Sequence, residues 1–450
     1  MAQKMNKISK LKVLELFSGI GGMHYALKES GFLFEVCAAM DLNSVAQEIY
    51  THNFPEIKLI ARCIEAIPVE DFDKWAADMI LMSPPCQPFT RQGLKKDVDD
   101  IRSKPFLHLL ESIPRFKKKP SYILIENVKG FETSEAHGKL IQMLEENNYH
   151  YQEFLLTPLQ FGIPNNRLRY FLIAKLKPMQ FPFSTKSEIW TDIPDDFHHL
   201  LKHRNVISDK QLSDSTNHTS AGDILTTLTP SVLVEKDLEK YTKYCQKLSE
   251  FLVVGSDSGD LSSSMLTENH LRHFMAMDIV KPDSRKCCCF TKGYGHKLDG
   301  SGSVIQMADE KDIYDGNRDK TIDPNDFQQL KKFKLRFFTP EEIARLMCFP
   351  ADFDFPQNVT VKQKYRTLGN SLNVHIVSVL IKLMVLKSYE QHEQYEQHEQ
   401  YEQYEQHEQY EQHEQHEQHE QHEQHEQHEQ YEQHEQQSFH CVKSSNFHNR

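Results

Sequence analysis

The sequence predicts an α/β protein, a doubly wound and mainly parallel sheet joined to a smaller second lobe. Between Lys12 and about Lys175, five β-rich runs recur: LKVLELF, FEVCAAM, DMILM, YILIEN and RYFLIA. Each is bounded by Gly, Pro, Asn or Asp, the residues that end strands. Amphipathic segments such as GMHYALKES and NSVAQEIYTHN lie between several of them, and strands alternating with helices at this spacing belong to parallel sheets. After residue 180 the rhythm is lost.

Taken in order, residues 1–178 are expected to form the first part of the main domain. Residues 179–330 are mixed in pattern, with the Ser/Asp-rich GSDSGDLSSS and the Gly-rich KGYGHKLDGSGS, and predict a small lobe with long loops. Residues 331–388 return to the main domain. There TPEEIARLMCFP opens a helix with Thr339 as N-cap, Pro340 at the first helical position and Glu342 completing a capping box. The apolar run that follows, VHIVSVLIKLMVL, is short for a bilayer and interrupted by Lys382, so it predicts a helix that needs a core to cover it. Residues 389–450 form a low-complexity tail. Tyr389 to Gln436 is sixteen triplets of Tyr/His-Glu-Gln without a lysine or arginine, a pattern with too little apolar surface to pack.

The formal net charge of −13 comes from that tail; residues 1–388 carry 50 basic and 49 acidic side chains. A neutral body neither demands nor forbids a phosphate backbone as partner. Nine cysteines without a paired CxxC argue against a zinc site or a secreted disulfide framework. The N-terminus MAQKMNKISK has no apolar leader segment, and a soluble intracellular protein is expected.

Two stretches carry chemistry. In VLELFSGIGGMHYAL a strand runs through a glycine turn into a helix. Gly21 and Gly22 allow the turn to approach a ligand, and Asp41, twenty residues after Gly21, ends the next strand where a carboxylate accepts bonds from a ribose diol. The residue three past Gly21 is His24, so the dinucleotide fingerprint is not met, and no P-loop is present. A nucleoside ligand without a pyrophosphate fits both facts. The second stretch is spread over three strand ends: Cys86 in SPPCQPFTRQG, Glu126 in IENV, and Arg167 and Arg169 in NNRLRYF. Two prolines fix the direction of a thiol, which is a good nucleophile once its pKa is lowered. A buried carboxylic acid donates a proton to a ring nitrogen, and arginines hold a carbonyl or a phosphate. Each feature alone also has a plain structural explanation: a packed Cys, a strand-end cap, surface ion pairs.

Together, and in this order, the blocks resemble the cytosine-5 methyltransferases that use S-adenosylmethionine. FSGIGG is similar to their first motif, PPCQPFT to the nucleophile loop, ENV to the acid motif, NNRLRYF to the arginine motif and RTLGNSLNV to the terminal motif; the resemblance covers nearly all of 11–388. The loop PPCQPFTRQG, the block GIPNNRLRYFLIAK and CFTKGYG at 289–295 resemble the branch that acts on aspartate tRNA. Cys287 and Cys288 before CFT, and the triplet tail, depart from the pattern. The resemblance implies a Rossmann-like S-adenosylmethionine-dependent methyltransferase fold with a smaller target-recognition lobe. It implies Cys86, Glu126, Arg167 and Arg169 as catalytic residues, with the two arginines orienting the base or its backbone. Phe17, Ile20, Gly21 and Gly22 would cradle the methionine part of the cofactor, and Asp41 and Leu42 its ribose and adenine side. Ile64, Glu65 and Ser83 would complete the pocket, and Asn370 or Ser371 would close it. No metal is implied. The implied substrate is cytosine 38 in the anticodon loop of aspartate tRNA, with weak DNA binding compatible, no membrane partner, a monomeric state, and a cytoplasmic and nuclear location. Cys289 is open between a place near the site and a packed thiol.

Three rivals remain at this level. A DNA cytosine-5 methyltransferase would use the same residues. A silent scaffold binding cofactor or RNA would not need Cys86, Glu126, Arg167 and Arg169 together. A thiol-dependent hydrolase needs a histidine that no motif places near Cys86. For either polymer, RFKKKP (115–120) and KKFKLR (331–336) are the local basic stretches.

Overall fold

The computed structural model describes residues 10–85, 100–201, 238–253, 261–314 and 322–386. All five β-rich runs are strands of one sheet. In chain order its members are β1 (Leu11–Leu16), β2 (Phe34–Met40), β3 (Leu59–Ile60), β4 (Met79–Met82), β5 (Tyr122–Val128), β6 (Tyr149–Leu156) and, after the two-residue β7 (Asn165–Asn166) of another sheet, β8 (Arg169–Leu176). The order is β3-β2-β1-β4-β5-β8-β6. The first five are parallel, and β8 runs antiparallel to both β5 and β6. Strand order reverses between β1 and β4, so the loops leaving those two strands diverge and open a crevice at their C-terminal ends.

The helices follow their sequence signals. The glycine turn feeds α1 (Gly22–Ser30). Asn43 caps α2 (Ser44–Asn53), its side chain accepting from the backbone N–H groups of Val45 and Ala46. Helices α3 (Val69–Trp75), α4 (Lys104–Ser112) and α5 (Glu135–Glu146) complete the parallel crossovers, and their apolar faces join one core with the sheet. Near the C-terminus, α6 (Pro340–Leu346) carries the expected capping box between Thr339 and Glu342. After α7 (Val361–Gly369) comes the apolar α8 (Val374–Val385), which packs on α1 and β8 with ten of its 12 residues buried. The apolar run is therefore a core helix of the main domain.

Strand β6 carries no clean alternation, because Gln152 and Glu153 are both buried within it. Glu153 is satisfied locally: Tyr170 donates to its Oε1 at 2.7 Å and His137 Nε2 lies 2.5 Å from the same oxygen. The free edge of β6 is covered by Trp190, whose N–H donates to Glu153 and whose carbonyl accepts from Leu155, which blunts an otherwise open pairing edge.

A three-stranded sheet forms the small lobe: β9 (Asp278–Val280), β11 (Ser303–Gln306) and β12 (Leu335–Phe337), in the order β12-β11-β9. Its core is Leu271, Ile313, Leu330, Phe333 and Leu335. The two-residue β10 (Cys287–Cys288) pairs with β7 and so ties this lobe to the loop before β8. A second tie is ionic. Arg336 and Glu342, both buried, meet through two bonds of 2.8 Å, and Glu342 also accepts from the N–H groups of Thr339 and Val253. Replacing Arg336 with methionine strands a buried carboxylate, so urea denaturation should show a loss of about 3–5 kcal/mol; a loss under about 1 kcal/mol would show that Glu342 finds other partners.

Candidate active site

A cavity of about 580 Å³ opens at the C-terminal ends of β1, β2, β4 and β5. Its floor is the turn after β1. Phe17 and Gly19 adopt left-handed backbone (φ 56° and 55°), and the Gly19 N–H donates to Asp41 at 2.8 Å. Asp41 also accepts from the Asn43 N–H at 2.7 Å. Burial pushes its carboxyl above the ordinary range, opposed by these backbone bonds. Asp41 thus holds the turn and the start of α2 together while lining the cavity.

Of the residues expected to hold a cofactor, Phe17, Ile20, Gly22, Asp41, Leu42, Ile64, Glu65, Ser83, Asn370 and Ser371 all line this cavity. Gly21 does not. Its φ is 87°, and a Cβ there would come within 2.4 Å of the Phe54 ring. Gly21 makes room for Phe54, which stacks on His24 behind the turn with ring centroids 3.8 Å apart; its glycine is a packing requirement. Residues the sequence reading did not single out also line the cavity, among them Ser18, Met23, Arg62 and Cys63. Ser18 stood inside the FSGIGG motif and was legible there. Cys63 was not: its thiol donates to Glu65 at 2.7 Å, a contact visible only once the turn Ile64–Ala66 is formed.

The reactive end is built by β4, β5 and β8. Ser83, Pro84 and Pro85 leave β4 and line the cavity, and Asn127 of β5 donates to the Pro84 carbonyl at 3.4 Å. Cys86 lies outside the described residues. Glu126 faces the cavity from β5 and is 8% exposed. Burial pushes its carboxyl above the ordinary range, against the opposing pull of Arg169, Arg167 and the Ser83 hydroxyl. The register pairs Val128 with Arg169 across β5 and β8, which brings Arg169 Nε to 3.6 Å from Glu126 Oε1.

The two arginines are not equivalent. Arg167 is 3% exposed, and its guanidinium donates to the carbonyls of Phe290, Gly369 and Ser371. Arg167 also lines the cavity, and its Nε is buried with no partner among the described residues. Cys289 falls near the site. Its sulfur lies 3.3 Å from Arg167 Nη1 and 3.6 Å from Arg169 Nη2. Burial raises the thiol pKa, yet the two guanidiniums outweigh it and the net shift is downward. At Cys245 burial outweighs the nearby Arg285 and the thiol is pushed up to about 12.

The basic stretches lie elsewhere. RFKKKP precedes β5, at the end of the sheet opposite the cavity, where Lys118 pairs with Asp78 and Lys119 donates to Asn147. In KKFKLR, Lys331 pairs with Glu268 and Arg336 with Glu342.

Comparison with known proteins agrees with this arrangement. The family model for C-5 cytosine-specific DNA methylase matches residues 11–386. The mouse tRNA (cytosine(38)-C(5))-methyltransferase is 45% identical over 392 residues, spanning 83% of this chain and 93% of the mouse protein. A Dictyostelium discoideum protein named DNA (cytosine-5)-methyltransferase is 37% identical over 398 residues, 85% of this chain and 96% of its own. A crystal structure of a Spodoptera frugiperda DNMT2 mutant superposes with a TM-score of 0.66 at 36% identity, covering 84% of this chain and 100% of that one. With a crevice at the switch point of the sheet, a buried acid on β5 and a family match over nearly the whole described chain, the protein belongs to the C-5 cytosine-specific DNA methylase family.

Proposed function

We propose that this chain transfers a methyl group to C5 of cytosine in tRNA, with cytosine 38 of the aspartate tRNA anticodon loop as its target. The observation that carries the chemistry is the single cavity into which the glycine turn, Asp41, the Ser83–Pro85 turn, Glu126 and Arg169 all open. S-adenosylmethionine, the family's cofactor, supplies an electrophilic methyl group when bound. The residues present fit it. The Ser18 hydroxyl is buried, lines the cavity and has no partner among the described residues, so it offers a bond to a polar amino-acid end. Asp41 suits ribose hydroxyls, and the exposed Leu42 with Ile64 offers apolar faces to a purine.

Cytosine C5 is too weak a nucleophile to react unaided. Addition of the Cys86 thiolate to C6, with Glu126 giving a proton to N3, moves electron density onto C5. After transfer the C5 proton is lost to a base, C5=C6 re-forms as the C6–sulfur bond breaks, Cys86 leaves as thiolate and N3 returns its proton to Glu126. Glu126 performs its part only as the acid, the form its burial favours against the opposing pull of Arg169 and Arg167,. Arg169, whose Nε lies 3.6 Å from Glu126, would hold the base.

For the substrate, the name of the mouse relative and the extent of its match support tRNA. An anticodon loop presents an unstacked base at low cost, whereas a duplex requires flipping. The Dictyostelium relative's name favours DNA as the second reading. The test supplies purified protein with labelled S-adenosylmethionine and, separately, total small RNA and genomic DNA. Label entering RNA is expected; label entering DNA alone would move the protein to the second reading.

A further inference from the structure

Behind the cofactor turn lies a buried polar cluster that the methyl-transfer chemistry does not use. Glu15 on β1 is fully buried. Its ion-pair contact among the described residues is with His24 of α1, whose Nδ1 lies 3.2 Å from Oε1. The same nitrogen lies 2.9 Å from the hydroxyl of Tyr50 on α2, and both rings are buried. Burial, and after it the Glu15 carboxylate, pushes the Tyr50 hydroxyl above its ordinary range, so Tyr50 is held as a neutral O–H donor. The His24 ring is wedged in place, stacked on Phe54 and edge-on to Phe34 with centroids 5.7 Å apart. Glu15, His24 and Tyr50 do not line the cavity, yet each is tied to a residue that does. Phe17 follows Glu15 by two positions, Met23 directly precedes His24, and Ala46 stands one helical turn before Tyr50.

We infer that His24 is a positioning residue for the cofactor: by bridging Glu15 and Tyr50 it holds β1, α1 and α2 at the spacing that S-adenosylmethionine requires, without touching the ligand. The hydrogen sits on Nδ1, because that nitrogen faces a carboxylate, which only accepts. The N–H then serves the carboxylate and the phenol oxygen, and the phenol keeps its own proton to give. Without that N–H the Glu15 charge stays buried with a neighbour gone, which costs more than the contact itself gained. Relief comes from admitting water between β1 and α1, and that draws Met23 away from the cavity wall. The turn has little slack to absorb such a shift. Its Ser18 N–H is committed to the Met40 carbonyl at 2.9 Å and its Gly19 N–H to Asp41. The displacement is therefore felt at Asp41 as well, and cofactor affinity is what it moves. Glu126 and Arg169, on β5 and β8, stand outside this linkage, so the chemical step is spared.

The inference rests on S-adenosylmethionine as cofactor and not on the choice of polynucleotide, since its main measurement needs none. Calorimetry on the full chain would measure the affinity for S-adenosylhomocysteine, with the thermal unfolding midpoint of each variant beside it. His24→Leu is expected to weaken binding roughly 10-fold, the scale of one lost hydrogen bond to a charged group. His24→Asn, whose side-chain N–H falls near the place of Nδ1, is expected to recover affinity to within about threefold of the wild type. Tyr50→Phe keeps the ring and loses the hydroxyl. It should weaken binding roughly 5-fold, and it carries the test if His24→Leu does not fold. In steady-state transfer, KM for S-adenosylmethionine should rise by the same factor while kcat stays within about twofold, the pattern of lost uniform binding. A merely structural cluster would lower the midpoint and leave affinity and KM alone, and that result in either variant overturns the inference. An asparagine variant no better than leucine overturns it too, because the effect would then belong to the volume of the ring. If label enters DNA instead of RNA, the proposed substrate fails while the calorimetric ratios still decide the role of His24.

Discussion

Cys86→Ala is expected to lower methyl transfer by at least roughly 10⁴-fold, the scale on which losing a nucleophile that acts with its partners is felt. SPPCQPFTRQG holds no other thiol, and without addition at C6 the ring stays aromatic and C5 unreactive toward the methyl donor. Cofactor affinity should be unchanged, since the turn after β1, Asp41 and Ile64 line the cavity independently of that thiol. Single-turnover transfer of labelled methyl, alongside calorimetry with S-adenosylhomocysteine, checks both halves. A variant that retains activity within tenfold would remove Cys86 from the chemistry and reopen the thiol of Cys289, whose pKa the two arginines already depress.

Glu126→Gln should cost roughly 10²–10⁴-fold in rate, the usual contribution of one positioned proton donor. Its effect on stability should differ in sign. The folded-state pKa of Glu126 is raised above the unfolded value, chiefly by burial, so this group lowers stability as pH rises from the unfolded pKa through the folded one. Glutamine imitates the neutral acid and cannot ionise. At pH 8 the variant is therefore expected to unfold no more easily than the wild type while being nearly inactive. The wild-type rate should also fall on the alkaline side as Glu126 loses its proton. A thermal unfolding midpoint lowered by many degrees at pH 8 would mean that the carboxylate is bound to Arg169 as a stabilising ion pair, and that Glu126 is not held as an acid.

Much of this was legible in the chain because it is local. Five strands, the glycine turn feeding α1, the Thr339 cap and the terminal core helix are each set by residues within a few positions of one another. The meeting of Asp41, Ser83 and Glu126 at one cavity followed as well, since each sits at the C-terminal end of a parallel strand, where the loops part at the switch point and leave a crevice,. Strand β6 escaped because its buried Gln152 and Glu153 break the alternation by which strands are read, and their partners, Tyr170, His137 and Lys186 among them, lie on other elements.

The sequence by itself determined which chemical groups this protein owns and the strand ends on which they sit. Only the tertiary structure decided which way each of them faces. Gly21 serves Phe54 and not the cavity; Arg167 lines the cavity while binding carbonyls 123 and 202 residues away. The thiol of Cys289 came to rest between two guanidiniums, and the lysines of RFKKKP came to rest at the far end of the sheet. The physical reason is one of range. Periodicity, turn chemistry and capping act between neighbours in the chain, whereas a side chain's hydrogen-bond partners are chosen among groups that become neighbours only when separate segments pack. A buried donor must then take whatever acceptors that packing provides.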